Sequence, residues 1–145
     1  DHAMVSFGGY IFDGATLIHM GKDGIWRTNR YEQTNYYFLN GAVYRYTMNF
    51  FTTENRRVET TDIYPYRDIV SLIITSRKEQ FRRQVFECQA VRLTAADKTF
   101  DSIVTRYETA IRPINEMRTF LKAANAAATV KAPQAPAAPQ SVPLN

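Results

Sequence analysis

Hydrophobic and polar side chains alternate along residues 42–51, and a period of two is typical of a half-buried β-strand. One face of this predicted strand carries four large side chains, which are Tyr44, Tyr46, Met48 and Phe50. The other face carries smaller and polar side chains, which are Val43, Arg45, Thr47 and Asn49. The pattern predicts that the aromatic face lies in the core and that Arg45 points into solvent.

A second aromatic run, residues 36–39, precedes this strand, and only Asn40 and Gly41 separate the two. The Asn-Gly dipeptide readily adopts positive φ at both positions, as a type I′ turn requires. The sequence therefore predicts a β-hairpin with a type I′ turn at Asn40-Gly41.

Four more strands follow in the sequence pattern, each bounded by turn residues. Their predicted ranges are 57–64, 70–75, 84–93 and 98–104. Pro65 ends the first of them, because proline cannot donate a hydrogen bond to a ladder. Nearer the start of the chain, the glycine-containing segment 5–20 carries two short apolar runs. These form either a strand pair or an extension packed on the sheet.

An amphipathic helix is predicted after the last strand, because apolar residues recur there at spacings of three and four. The apolar stripe, expected to lie on the sheet, consists of Tyr107, Ile111, Ile114, Met117 and Leu121. The phrase Thr105-Arg106-Tyr107-Glu108 matches a capping box and predicts that the helix starts at Thr105. Pro113 then falls inside the helix and predicts a bend. A start near Thr109 is the alternative.

Several antiparallel strands followed by one helix predict a mainly β fold with a C-terminal α-helix, of the α+β class. We expect an antiparallel meander that forms a bent sheet or a partly open barrel, with the helix capping the open end. Residues 1–4 look like a cloning remnant, and residues 5–30 form an N-terminal extension with the first strands. Residues 31–123 form the β domain with its helix. Residues 124–145, which are rich in Ala and Pro, are expected to form a flexible tail or linker.

The composition narrows the range of functions. The chain has a net charge of +4 and a pI of about 9.3, which is mildly basic. One cysteine and two histidines are too few for an internal disulfide or a typical zinc site. We therefore expect no metal, no cofactor, and a buried, unreactive thiol at Cys88. Trp26, the only tryptophan, is expected to anchor the core or a sheet edge rather than stack on a ligand.

Four phrases of the sequence carry a family resemblance: residues 21–24, residues 26–32, the Thr61-Asp62 step and residues 64–71. They resemble phrases of bacterial pleckstrin-homology-like domains, in particular those of an uncharacterised membrane-associated bacterial family, over residues 21–121. The chain departs from this pattern at Ala95-Ala96-Asp97-Lys98, where that family often has a Ser-Gly-Gly turn. The resemblance implies a cytoplasmic domain at the face of a membrane, often joined to membrane-embedded segments, with no established activity.

The resemblance and the lack of a catalytic motif favour a non-catalytic interaction or scaffold module that binds a protein partner or a second copy of itself. An alternative is recognition of an anionic lipid, at a membrane surface, or of a phosphorylated ligand. The residues for this alternative are a basic segment predicted to connect two strands, assisted by two further arginines: Arg77, Lys78, Arg82 and Arg83, with Arg56 and Arg57. A solvated loop explains the same segment without any ligand.

Two further functions fit the sequence less well. Positive charge and the phrase Tyr44-Arg45-Tyr46 suit nucleic-acid binding, but the alternation places the arginine and the tyrosines on opposite faces. An enzyme would need paired carboxylates, a glycine-rich phosphate loop, an activated serine or a metal cluster. The candidate carboxylates, Asp62, Asp68, Glu59 and Glu87, are scattered along the chain. We therefore predict neither catalytic nor metal-binding residues.

Overall fold

A computed structural model of the chain describes the backbone of residues 3–131 and the side chains of residues 3–126. The described region contains nine strands, two single turns of 3-10 helix and one α-helix. The strands are β1 (Ala3–Tyr10), β2 (Ile18–Met20), β3 (Trp26–Thr28), β4 (Arg30–Phe38), β5 (Ala42–Phe51), β6 (Arg57–Pro65), β7 (Ile69–Phe81), β8 (Gln84–Ala95) and β9 (Lys98–Val104). The 3-10 turns are Tyr66–Asp68 and Tyr107–Thr109, and the helix α1 is Ile111–Lys131. The predicted tail beyond Lys131 lies outside the described residues.

The strands pair antiparallel in three sheets among the described residues. The first sheet has the order β1-β4-β5-β6, the second has the order β7-β8-β9, and β2 and β3 form a small hairpin. These antiparallel sheets, followed by one helix, confirm the predicted class, mainly β with a C-terminal helix, and none of the three sheets within residues 3–131 closes into a barrel.

The two larger sheets approach most closely where β1 meets β9. The Thr105 N–H lies 3.4 Å from the Gly8 carbonyl oxygen and donates a hydrogen bond to it. Gly9 makes this approach possible, because a Cβ at that position would lie 2.8 Å from both Ile103 Cγ2 and the Thr105 nitrogen. A side chain at Gly9 would therefore push β9 away from β1.

The main core lies between the two larger sheets and α1. It contains Val5, Tyr36 and Val43 from the first sheet and Val91 and Leu93 from the second. The helix contributes Ala110, just before its first turn, and Ile114, Met117 and Leu121. The Arg118 guanidinium also donates a 3.0 Å hydrogen bond to the Leu72 carbonyl on β7. The helix is thereby fixed to the second sheet by both apolar packing and a polar contact.

The predicted faces of β5 are wrong, because Val43, Arg45 and Thr47 point inward, while Tyr44 and Tyr46 point outward. The neighbours of β5 decide this. On the inner side, Val43 and Arg45 pair with Phe38 and Tyr36 of β4, and both rings belong to the main core. On the outer side Tyr37 and Tyr44 form a tilted aromatic pair with centroids 6.0 Å apart. The outer face of the first sheet is therefore an aromatic surface.

The predicted start of the helix at Thr105, with a bend at Pro113, is also wrong. The Thr105 hydroxyl accepts a 2.7 Å hydrogen bond from the Tyr10 N–H, so it ties the chain to β1 and caps no helix. The helix begins at Ile111, which places Pro113 in the first turn, where its missing N–H costs no hydrogen bond. Of the predicted stripe, Tyr107 and Ile111 are 46% and 44% exposed, and the other three members are buried.

The hairpin at Asn40-Gly41 is confirmed, with the Leu39 N–H donating to the Ala42 carbonyl over 2.9 Å. The turn is not type I′, because Gly41 has a φ of +90° while Asn40 does not have positive φ. Tyr66 contributes to this geometry from outside the hairpin. Its N–H donates to the Gly41 carbonyl over 3.4 Å, and its hydroxyl donates to the Leu39 carbonyl.

Candidate functional site

Four arginines line a groove of about 620 Å³ on the inner face of the first sheet, near the open edge formed by β6. We call it the arginine groove, and its arginines are Arg30, Arg45, Arg56 and Arg57. Further lining comes from Gly14, Glu32, Thr47, Asn49, Phe51, Val58 and Thr60. The floor of the groove is formed by Glu32, Asn49 and Val58, which are paired neighbours across β4, β5 and β6 and therefore point to the same face of the sheet.

The Phe51 ring holds two guanidinium groups at the rim of the groove. Arg56 lies 4.1 Å and Arg30 5.9 Å from the ring centroid, within the range of cation–π contacts. Arg30 Nε also donates a 3.1 Å hydrogen bond to the Asn49 side chain. Arg56 forms a 2.9 Å ion pair with Glu54. These contacts restrict the rotamers of both arginines.

Arg45 forms the back of the groove and is only 7% exposed. Its Nε donates to the Tyr36 hydroxyl over 3.2 Å, and its Nη2 donates to the Asp101 carbonyl over 3.4 Å. Its Nη1 lies 4.0 Å from Asp62 Oδ2. Asp101 belongs to β9, so Arg45 connects the first sheet to an unpaired backbone group at the edge of the second.

Glu32 performs a similar role beside Arg45. Its Oε1 accepts a 3.1 Å hydrogen bond from the Ile103 N–H, which is also on β9. Burial raises the pKa of the Glu32 carboxyl above its ordinary value, while the Ile103 N–H and the nearby charges of Arg45 and Arg77 partly oppose the rise. Two side chains thus satisfy backbone groups that no neighbouring strand reaches.

The raised pKa of Glu32 predicts a pH-dependent contribution to stability. Just above the ordinary pKa of a glutamate, the folded protein holds more protons than the unfolded chain. The free energy of unfolding therefore falls as pH rises from the ordinary value through the raised one. Glu32→Gln keeps an acceptor for the Ile103 N–H and should remove this fall. Urea unfolding from acid to neutral pH measures the difference between the two proteins.

Glu116→Gln is the control for this experiment, because it removes one carboxylate from the exposed face of α1 and so measures the effect of losing a charge alone. If wild type gains stability relative to Glu32→Gln as pH rises through this range, the direction of the shift is wrong.

Thr47 offers an unused polar atom inside the groove. The residue is 7% exposed, and its buried Oγ1 has no hydrogen-bond partner among the described residues. A buried hydroxyl without a partner is costly, since it has lost its bonds to water.

The six basic residues singled out in the sequence do not form a single site. Arg56 and Arg57 line the arginine groove, whereas Arg77, Lys78, Arg82 and Arg83 do not. Arg77 pairs with Glu79 at 3.4 Å and with Asp101 at 3.6 Å. The predicted connection at 77–83 is wrong, because β7 continues to Phe81 and only Arg82 and Arg83 form the turn. Lys78, on β7, and these two arginines are exposed.

Sequence reasoning missed Arg30 and Arg45. Arg27 is the one basic residue close to Arg30 in the sequence, so no cluster of positive charge identifies Arg30 as part of a site. Arg45 lies on the same face of β5 as Val43, a residue of the core, and this alternation was the one sequence pattern that could have predicted its burial. The alternation does not show which of the two faces of β5 is buried.

Two searches concern metal ligands and membrane-spanning helices. Within residues 3–131, no three His, Cys, Asp or Glu side chains are grouped as a metal site would need. No helix in that range is both long and apolar enough to cross a bilayer. Comparison with protein-family models, curated proteins and solved structures found no match for this chain.

Proposed function

We propose that this protein is a non-catalytic binding module that holds an anionic, phosphate-bearing ligand in the arginine groove. The proposal rests on one observation: four arginines and the buried, unpaired hydroxyl of Thr47 line the same groove. Among the described residues that line the groove, one is a carboxylate, Glu32, and the Ile103 N–H already donates to it. Glu54 and Asp62 lie outside the lining and pair with Arg56 and Arg45, so four arginines face three carboxylates. The groove therefore keeps a positive charge that favours a ligand with negative charge.

Phosphate suits these residues in particular. A guanidinium presents planar pairs of donors that match two phosphate oxygens, and charge-assisted hydrogen bonds are roughly twice as strong as neutral ones. The contacts of Arg30 and Arg56 with Phe51 limit the rotamer freedom that binding would otherwise remove. Thr47 can add a hydroxyl contact at the floor of the groove.

The family resemblance supports a place for such a module in the cell. A bacterial pleckstrin-homology-like domain, as part of a larger protein at the cytoplasmic face of a membrane, would meet phosphate groups on lipids and on proteins. The exposed cations Lys78, Arg82 and Arg83 add positive surface, which would favour approach to an anionic membrane.

Two double variants test this proposal. Arg56→Ala with Arg57→Ala should weaken binding of inositol hexakisphosphate, and of vesicles containing phosphatidylserine, by about thirty-fold. Each basic residue near an anionic surface contributes about 1 kcal/mol, and about 2 kcal/mol corresponds to that ratio. Calorimetry with the soluble phosphate and co-sedimentation with the vesicles measure the two affinities. Binding of the soluble ligand alone would identify a phosphate ester rather than a lipid surface as the ligand.

Arg82→Ala with Arg83→Ala is the matched control, since it removes the same charge from residues outside the groove. It should bind inositol hexakisphosphate as wild type does. An equal loss in both double variants would mean that net charge alone attracts the ligand. Wild-type protein that binds neither probe at low salt would refute the proposal.

A further inference from the structure

A second concavity of about 370 Å³ lies among β1, β3, β8, β9 and the 3-10 turn before α1. We call it the aromatic pocket. Five rings and two carboxylates line it: Tyr10, Phe12, Trp26, Phe86, Tyr107, Glu87 and Glu108. This volume falls within the range of small-molecule sites, roughly 300–1,000 Å³. None of these seven residues lines the arginine groove, so the two sites are independent.

Contacts between elements far apart in the chain hold the aromatic walls in place. The Trp26 and Phe86 rings meet edge to face with centroids 5.4 Å apart, and Phe12 stacks on Phe86 at 4.2 Å. Asp23, in the turn between β2 and β3, lies 2.8 Å from Arg27 and 2.9 Å from Arg106. Arg106 immediately precedes Tyr107, so one carboxylate fastens the hairpin that carries Trp26 to the segment that carries Tyr107.

The lining of the aromatic pocket is acidic, and the nearby Arg27 and Arg106 both pair with Asp23 rather than with the carboxylates of that lining. The described residues that line it include Glu87 and Glu108, both exposed, and no lysine or arginine. Gln89 also lines it, and its buried Oε1 has no hydrogen-bond partner among the described residues. Burial raises the pKa of the Cys88 thiol to about 12, so this group stays neutral at physiological pH. The pocket combines aromatic rings, acceptor oxygens and negative charge, in a chain with a net charge of +4.

We propose that the aromatic pocket binds an organic cation that carries a quaternary ammonium group, such as choline. The faces of aromatic rings carry negative electrostatic potential, and cages of such rings attract alkylated ammonium groups. A quaternary ammonium has no N–H to lose from water, so its methyl groups can contact Tyr10, Trp26, Phe86 and Tyr107. Glu87 and Glu108 add long-range attraction at the rim. Trp26 would then contact the ligand with one part of its ring while it packs on Phe86.

Trp26 provides the measurement, because it is the only tryptophan in the chain. Choline should change its fluorescence in a saturable way. The neutral isostere 3,3-dimethylbutan-1-ol has the same shape with carbon in place of the charged nitrogen. It should bind about thirty-fold more weakly, since a desolvated cation–π contact contributes that ratio. Equal affinity for the two compounds would mean that the pocket selects only apolar shape, and the proposal would fail.

Substitutions at Tyr107 test the contact itself, since this residue is 46% exposed and outside the core. Tyr107→Leu removes the ring and should weaken choline binding by about five-fold, whereas Tyr107→Phe should retain the wild-type affinity. Glu87→Gln with Glu108→Gln should weaken choline binding and leave the neutral isostere unaffected. Thermal unfolding checks that each variant folds. Wild-type protein whose fluorescence and calorimetric heats do not respond to choline would overturn the proposal.

Discussion

Arg45→Ala is expected to destabilise the protein by about 3 kcal/mol, measured as the free energy of unfolding in urea. The Arg45 guanidinium donates to the Tyr36 hydroxyl and the Asp101 carbonyl, and both would lose a partner. A buried polar group left without a partner costs about 1–3 kcal/mol. The substitution also leaves a cavity, because the guanidinium carbon of Arg45 lies 6.0 Å from the centroid of the Tyr36 ring and 5.4 Å from that of the Phe100 ring.

Arg45→Met separates these two causes, because methionine fills much of the same space without any donor. It should recover the packing part of the loss and leave the hydrogen-bonding part. Tyr46→Ala is the second comparison, and it should cost less than about 1 kcal/mol, since Tyr46 lies on the half-exposed outer face and its hydroxyl bonds to the exposed Glu59. A larger loss for Tyr46→Ala than for Arg45→Ala would show that the aromatic face of β5 is the buried one.

Met117→Ala is expected to cost about 2–5 kcal/mol, the range found when a large apolar side chain is removed from a packed core. Met117 is completely buried and belongs to the core cluster between the two sheets and α1. Ile111→Ala is the control on the same helix, because Ile111 is 44% exposed, and its loss should stay below about 1 kcal/mol. Chemical denaturation of both variants gives the comparison, and similar losses would contradict the observed face of the helix.

Truncation provides a stronger version of the same experiment. A chain that ends after Arg112 lacks Ile114, Met117 and Leu121, so it would expose the apolar surface that they cover and should aggregate. A chain that ends after Thr129 keeps all three residues and should melt at nearly the wild-type temperature. A soluble, folded product of the shorter truncation would mean that the helix is dispensable for the core.

Local sequence patterns were sufficient for most strand positions. The strand predicted at residues 98–104 is β9, and the hairpin around Gly41 joins β4 to β5 as expected. Both signals are local, because alternation and turn residues act within about ten neighbouring positions. The same kind of signal was misleading at residues 77–83, where four cations suggested a connection. Ladder pairing with β8 instead keeps residues 77–81 extended as part of β7.

The candidate sites could be predicted only in part. Arg56 and Arg57 were proposed as ligand contacts from their charge, and both line the arginine groove. Arg30 and Arg45 join them through pairing of β4 with β5, a relation that no spacing in the sequence displays. The aromatic pocket shows the same limit, because its Trp26 and Tyr107 walls are joined by the contacts of Asp23 with Arg27 and Arg106.

Local periods of two and of three to four residues were enough to predict the mainly β class, the C-terminal helix and most of the buried stripe of that helix, which contains Ile114, Met117 and Leu121. The buried face of β5 depends instead on contacts with distant parts of the chain. Alternation defines two faces of β5 but assigns neither to the core. Arg45 points inward because it pairs with Tyr36 on β4 and donates a hydrogen bond to the Asp101 carbonyl on β9. Tyr44 and Tyr46 therefore lie on the outer face. The buried side of a strand depends on what packs against it, and that partner comes from distant parts of the chain.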